Sequence, residues 1–499
     1  MALSWAGKGA AFWLSHAKAQ RPRGVEIVLL SRRMEMTEEI IRPSYDFWEG
    51  IRSYESVPPG SSAEKAPYID HGTDLIDPRR YTDPAEADRE WDKLWTKIWN
   101  LAGIAADIPE PGDWFKYDLG RESFVVVRGD DGQIRAFYNV CPHRGNQLVR
   151  NDFGTVNECF SCAFHGWKFE KDGNLRSVKE PETFRPEVIK DVSGLTEVRC
   201  EVWAGIVFIN MDPEAGPLLD FLGILPDHLA PYELERHRVF EDIEYVFDAN
   251  WKTALDAFLE FYHADIVHPE LANVMETYFC QYDLYDKGIS RMILPSGYAP
   301  DKLQDRTSVN EMQKAMIRQW EGDPDEWEHL TGIEYKTAMV ETKRRLAEKA
   351  GWDFFDQFSD DQVVDDWNYF VFPNVTTNTW PDANYIQIFR PHPTDPMKCI
   401  WRSITTVPLA PKYPDFRPVK TSSLGQGVVD ETGWDGSVRP PIQRITNPED
   451  AGFVLEQDLV LVPGVHRGVQ SRAFKGARLG EQEIRIRHYL AEVDRYLAK

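Results

Sequence analysis

The chain has 499 residues, 42 % of them hydrophobic and 28 % charged, which is the composition of an ordinary globular protein large enough for two domains or one two-part unit. A formal charge of −24 argues against nucleic acid or anionic membrane as the main partner. Six cysteines are too few for a disulfide framework and fit a reducing cytoplasm, and no stretch approaches the roughly 18–20 apolar residues that a membrane span needs.

The first 35 residues carry six Lys/Arg and two acids, unlike the acidic remainder. Their apolar runs, Ala10–Leu14 and Val25–Leu30, are too short for a signal-peptide core. Residues 1–45 therefore read as a disordered leader or an over-long start, with Met34 or Met36 as the natural first residue. Tyr54–Pro67 is rich in Pro, Gly and Ser and reads as a loop. A helix is expected over Ala85–Ile98, started by Asp83-Pro84, with Trp91, Leu94, Trp95 and Ile98 at helical spacing. Residues 46–110 are assigned to the helical N-terminal part of a larger catalytic domain. From Trp114 to Phe208 the pattern changes to short strands, among them Ser123–Val127, Ile134–Val140, Lys168–Phe169 and Ile206–Asn210, with hairpin signals at Gly129–Gly132 and Asp172-Gly173. This is a small antiparallel β domain, residues 111–215.

Two loops of that domain carry C-x-H and C-x₂-H motifs: Cys141-Pro142-His143-Arg144-Gly145 and Cys162-Ala163-Phe164-His165-Gly166-Trp167. Two thiolates and two imidazoles are the set that ligates the two irons of a [2Fe–2S] centre unequally, Cys on one and His on the other, raising its potential. A structural zinc held by Cys141, His143, Cys159 and Cys162 is the competing reading. It leaves His165 and Gly166-Trp167 without a role. With the cluster reading, Cys159 becomes a spare, buried thiol beside the loop.

Beyond residue 215 the pattern is α+β. Helices are expected over Trp251–Tyr262, across Glu311–Lys349 and over Glu481–Leu497, and strands over Tyr385–Arg390 and Cys399–Thr406. Residues 216–499 form the catalytic domain. Asn250 is a good N-cap for the first helix. His263 and His268 stand five apart, about 140° round a regular helix, too far to share a metal. Pro269 forces its predecessor out of helical geometry, so His268 lies past the helix end and can turn back towards His263. Glu260 precedes His263 by three residues on the same helical face. Two imidazoles need a carboxylate to complete the facial triad that holds non-haem Fe(II).

Over about residues 70–495 the chain resembles the large (catalytic, alpha) subunit of the Rieske non-haem iron oxygenases, which include the aromatic-ring-hydroxylating dioxygenases. The resemblance is carried by C-P-H-R-G, C-A-F-H-G-W, Asn250-Trp251-Lys252, Tyr262-His263 with His268-Pro269, Phe372-Pro373-Asn374 and the run Arg467–Ser471. It implies a Rieske [2Fe–2S] cluster on Cys141, His143, Cys162 and His165, and a mononuclear iron on His263, His268 and a distant Asp. Ala451-Gly452-Phe453-Val454-Leu455-Glu456-Gln457-Asp458 matches the family's A-G-F-x₄-D helix, so the third ligand is expected to be Asp458, with Glu456 as rival. Glu260 falls where the family places an acid that bridges cluster and iron between neighbouring subunits, which implies a homotrimer, or an α₃β₃ assembly with a small β subunit. Ala257, Phe258 and Val454, as neighbours of the ligands, are candidate pocket residues.

No dinucleotide fingerprint is visible, so electrons from NAD(P)H must come through a separate reductase, with or without a ferredoxin. The implied reaction is O₂-dependent hydroxylation of an apolar aromatic or polycyclic small molecule by a cytoplasmic enzyme. A monooxygenase or demethylase acting on a quaternary amine or aryl ether is the alternative, and a non-catalytic electron carrier the remote one. Three positions depart from the usual pattern: Glu260, where ring dioxygenases commonly have Asp and the branch that oxidises quaternary amines has Glu; Ala257, where Asn is frequent; and His466, where Gln is usual.

Overall fold

The computed structural model describes residues 62–300, 307–418 and 434–499. The expected leader and both candidate start residues lie outside the described residues, as does most of the Tyr54–Pro67 loop.

Ten strands build the first part of the chain: β1 (Asn100–Ile104), β2 (Asp113–Leu119), β3 (Glu122–Arg128), β4 (Ile134–Tyr138), β5 (Phe153–Thr155), β6 (Phe160–Ser161), β7 (Lys168–Phe169), β8 (Leu175–Ser177), β9 (Glu197–Trp203) and β10 (Ile206–Asn210). Seven of them form one antiparallel sheet in the order β1-β10-β9-β4-β3-β2-β5, and β6-β7-β8 form a small sheet that carries the second cysteine loop. β3 reads Glu-Ser-Phe-Val-Val-Val-Arg, and its β-branched run is buried throughout, as suits a strand covered on both faces.

The second part is an eight-stranded sheet from β11 (His237–Phe247), β12 (Gln281–Leu284), β13 (Ser290–Leu294), β14 (Asp366–Val371), β15 (Val375–Trp380), β16 (Ala383–Pro391), β17 (Cys399–Pro408) and β18 (Gln443–Arg444). Its order is β12-β13-β14-β15-β16-β17-β11-β18, antiparallel except for the β11–β18 pair. Helices flank it: α1 (Pro84–Glu90), α2 (Trp251–Asp256), α3 (Ala264–Val267), α4 (Glu311–Gln319), α5 (Tyr335–Ala350), α6 (Phe453–Val469) and α7 (Ile484–Leu497). An antiparallel β domain joined to an α+β domain is the fold class that the sequence predicts. No helix among the described residues is long and apolar enough to cross a membrane.

Several expected helices are shorter. The Ala85–Ile98 helix is α only to Glu90 and closes in one π turn, Trp91–Trp95. Glu311–Lys349 splits into α4 and α5, because Gly322, Asp323-Pro324 and Gly332 interrupt it with turns. The Trp251–Tyr262 helix stops at Asp256, and Glu260 lies in the following turn rather than on a helical face. Its own carboxylate stabilises that turn: Oε2 accepts from the backbone N–H of Tyr262 and of His263 (3.2 Å).

One apolar core runs through both parts, joining Trp95, Phe115 and Phe124 to Trp251, Phe370, Trp401 and Tyr489. Within it Glu90 is buried and accepts from Trp251 Nε1 (3.0 Å) and from Lys252 Nζ (2.5 Å). Removing one partner of such a pair leaves an uncompensated buried charge, at a cost of about 3–5 kcal/mol. The pair thus fixes α1 against the start of α2, the segment that leads to the histidines.

Candidate functional site

The two cysteine loops have the same construction. Cys141 N–H donates to Asn146 O (2.8 Å) and Gly145 N–H to Cys141 O (2.9 Å); Cys162 N–H donates to Trp167 O (2.8 Å) and Gly166 N–H to Cys162 O (2.9 Å). Gly145 and Gly166 have φ of 76° and 73°, a left-handed conformation in which a side chain is strained although nothing crowds either Cβ position. That is the reason for a glycine after each half-motif. The loops bury the Cys141 and Cys162 thiols side by side and set the His143 and His165 rings edge to face, 4.5 Å between centroids. Trp167 stacks flat on His143 at 4.9 Å, which gives the Gly-Trp pair its role.

These residues fit a two-iron cluster. His143 Nδ1 is buried without a hydrogen-bond partner, as a ring nitrogen reserved for a metal would be. The four side chains do not converge tightly enough for one ion: among the described residues only His263, His268 and Asp458 do so. This weighs against the zinc alternative. Cys159, expected as a buried thiol, is half-exposed just before β6, because the edge of the small sheet leaves it uncovered.

The ligand atoms of His263, His268 and Asp458 all lie within 4.8 Å of one another. His263 Nε2 and His268 Nε2 are 3.3 Å apart, and they stand 3.7 and 3.4 Å from Asp458 Oδ1. His268 is the C-cap of α3, with φ −120° and ψ 61°, so it leaves the helix before Pro269 and turns back. α6 presents Asp458 from its second turn, after Gly452 enters the helix at φ 96°. Asp458 is buried and Glu456 is half-exposed outside the triad.

Two partners set the imidazole tautomers. His263 Nδ1–H donates to Glu260 Oε1, and His268 Nδ1–H donates to Gln457 Oε1 (2.6 Å). Each ring then turns a bare Nε2 lone pair towards the shared centre, the form that a metal binds. The donor set of two neutral imidazoles and one carboxylate fits Fe(II). Sequence reasoning missed Gln457; its one signal is an amide adjoining the expected carboxylate. His466 lies apart from the triad, buried, with Nδ1 3.1 Å from Thr253 Oγ1 and Nε2 beside Met397 S at 3.4 Å.

The triad lines a cavity of about 220 Å³. Ala257, Phe258 and Val454 line it too, and most of its wall is apolar, with Met275, Met292, Leu294, Met316, Leu346 and Val364 among the contributors. Polar groups in the wall include Asp366, Asn368, Asn378, Tyr385 and Gln387 on β14–β16, Lys343 with Asp382, and Glu321 and Arg417. Lys343 Nζ lies 2.6 Å from Asp382 Oδ1 and 4.7 Å from the centroid of the Trp320 ring.

Known proteins resemble the chain in the same two regions. Residues 98–192 match the Rieske [2Fe-2S] domain and residues 234–499 match the ring hydroxylating alpha subunit (catalytic domain). The chain is 34 % identical over 212 residues to the alpha subunit of biphenyl 2,3-dioxygenase from Rhodococcus jostii, covering 42 % of this chain and 46 % of that one. It is also 34 % identical over 203 residues to the carnitine monooxygenase oxygenase subunit of Escherichia coli, covering 40 % and 54 %. The chain thus spans about half the length of these relatives. Among solved structures, a quaternary ammonium Rieske monooxygenase superposes with TM-score 0.60 at 19 % identity, over 87 % of this chain and 99 % of that one. A naphthalene 1,2-dioxygenase superposes with TM-score 0.59 at 19 % identity, over 86 % and 94 %. With one family model covering more than half of its residues and a second covering the cysteine loops, the chain belongs to the ring hydroxylating alpha subunits and carries a Rieske domain ahead of its catalytic domain.

Proposed function

We propose that the chain is the catalytic subunit of an oxygenase. It would receive electrons at a Rieske cluster held by Cys141, His143, Cys162 and His165, and hydroxylate a neutral, largely apolar, aromatic or polycyclic molecule beside an iron(II) held by His263, His268 and Asp458. One observation carries this reading: the tautomer-fixed His263–His268–Asp458 triad opens on a mostly apolar cavity. Iron(II) in a two-histidine, one-carboxylate set keeps positions open for O₂ and supplies the oxygen chemistry. The chain's own part is to orient the ligands through Glu260 and Gln457 and to surround the substrate with methionine and leucine side chains that exclude water.

Exposed apolar side chains stand beside both centres: Phe164 next to His165, and Tyr262, Ile266, Val460, Leu461 and Val465 near His263 and Asp458. Surfaces of this kind mark protein contacts. They support an assembly, a homotrimer or α₃β₃, in which the cysteine loops of one subunit dock against Glu260 of the next. A similar solved structure is described in terms of inter-subunit electron transfer. A reductase, with or without a ferredoxin, would supply the electrons.

The quaternary-amine reading keeps one supporting observation, Glu260 at the bridging position, and relatives that act on carnitine and glycine betaine. Against it, Lys343 already covers one aromatic face of the cavity, that of Trp320. Product analysis in cells supplied with a matching reductase and fed aromatics and methylated amines decides between them; demethylation without ring hydroxylation would overturn the leading reading.

The cluster assignment has a separate test. The reduced protein should show the paramagnetic signature of a mixed Cys/His [2Fe–2S] centre. Cys141→Ser or His165→Ala should abolish it, and Cys159→Ser should leave it nearly intact; the reverse pattern would move a ligand to Cys159.

A further inference from the structure

Asn368 and Asn378 are paired neighbours on β14 and β15, in a row that runs Met292, Asn368, Asn378, Tyr385, Thr405 across five strands. Both line the cavity that holds the iron triad. Amide orientation is ordinarily ambiguous, but here each amide has a partner that permits only one. Arg485, buried in α7, donates from Nη2 to Asn368 Oδ1 (2.9 Å) and from Nε to Ser290 Oγ (3.0 Å). A guanidinium has no acceptor, so Asn368 must give it oxygen, leaving its own NH₂ unused. Asp366, when ionised, can only accept, and it receives Asn378 Nδ2 on both carboxylate oxygens (3.0 and 2.8 Å), so Asn378 then gives it the NH₂. Asn378 Oδ1 is thereby left buried with no hydrogen-bond partner.

A buried amide oxygen without a partner costs stability unless something fills its valence. The two charged groups beneath, Arg485 and Asp366, hold one amide as a donor and its neighbour as an acceptor. Arg485 lies behind Asn368, outside the cavity lining; Asp366 lines the cavity, but both of its oxygens are engaged by the Asn378 NH₂. We infer that Asn368 and Asn378 form a donor–acceptor subsite in the cavity wall, selecting substrates that carry a neutral group with both a lone pair and an N–H or O–H, such as a carboxamide or a hydroxyl, on an apolar body. A bare hydrocarbon leaves both amides unanswered, and a quaternary ammonium offers no donor to Asn378 Oδ1. The inference rests on the reading that this cavity holds the substrate, and it narrows that substrate from apolar to apolar with one amphoteric polar group.

Calorimetric binding to the metal-loaded, resting protein tests it without turnover. The probes are 2-naphthamide, 2-methylnaphthalene and (2-naphthyl)trimethylammonium, measured at pH 8, above the value of about 7 to which burial pushes the Asp366 carboxyl. The wild type should bind 2-naphthamide about tenfold more tightly than 2-methylnaphthalene, the size expected of a buried hydrogen-bonded pair. Asn378→Leu, close in shape but without the acceptor, should erase that preference while binding of 2-methylnaphthalene stays equal or improves. The wild-type rank order needs no variant, so a misfolded Asn378→Leu would not rescue the idea. Equal affinities in the wild type, tightest binding of the cation, or a preference that survives Asn378→Leu would each overturn the subsite. Substrate-coupled O₂ uptake with the same probes and a reductase reports on the oxygenase reading separately: uptake without a polar preference sinks only the subsite, and tight amide binding without any uptake sinks only the oxygenase.

Discussion

Asp458→Ala should leave the visible spectrum of the [2Fe–2S] centre unchanged, deplete the protein of its mononuclear iron and reduce product to background. Asp458 is the only carboxylate among the described residues whose oxygen lies within ligand range of both His263 and His268. Two neutral imidazoles without an anion hold Fe(II) weakly, because the carboxylate supplies both the third donor and the charge. Gln457→Leu grades the effect. It removes the acceptor for His268 Nδ1–H but no ligand, so iron affinity should fall about 10–100-fold, the usual cost of losing such a partner. Iron and [2Fe–2S] content measured separately checks both. Full iron retention in Asp458→Ala would show that the third ligand lies elsewhere, with Glu456 the first residue to examine; loss of the cluster as well would show that Asp458 supports the fold and not the iron alone.

How much of this was legible in the sequence depended on how local the physics is. The cysteine loops are short, and ligands, left-handed glycines and the stacking Trp167 all fall within a few residues of one another, so a motif captures the whole device. His263 and His268 were legible for the same reason, with Pro269 as the visible cause of the turn. Asp458 was not deducible from spacing at all; it arrives on α6 from far down the chain, and resemblance alone pointed to it. Gln457 escaped because a glutamine's role depends on which imidazole faces it in space.

Helix extents were over-read where apolar spacing continued past a break that a side chain makes. Trp251–Tyr262 keeps its periodicity, yet Glu260 draws the backbone N–H groups of Tyr262 and His263 into a turn. The polar wall left a faint trace: Asp366 and Asn368, then Asn378, are polar residues at alternate positions of strands that are otherwise buried. Alternation says that these side chains share a face. Only the structure shows that the face is a cavity rather than solvent, and that Arg485 and Asp366 assign opposite roles to two identical amides.

Glu260→Gln should keep both metals and still slow electron transfer to the iron site about 10–100-fold, the range for losing a group that orients a metal ligand. The carboxylate uses both oxygens in its own chain. Oε1 accepts from His263 Nδ1–H, and Oε2 accepts from the backbone N–H of Tyr262 and His263. An amide has one oxygen. If the substituted side chain turns that oxygen towards His263, its NH₂ meets two backbone donors and the turn loosens; if it turns the oxygen towards the backbone, His263 loses the acceptor that fixes its tautomer. In the proposed assembly the same carboxylate also accepts from His165 of a neighbouring subunit, a third demand that an amide cannot meet. Neither metal loses a ligand, so both sites should still fill when Fe(II) is supplied in excess, although the iron is held more weakly, as in Gln457→Leu. Rapid mixing of the reduced protein with O₂ and substrate, following cluster reoxidation and product in a single turnover, separates the outcomes. Slow reoxidation with both metals in place is the expected result. Wild-type reoxidation and yield would mean that Glu260 serves only its own turn, and that electrons reach the iron by another route.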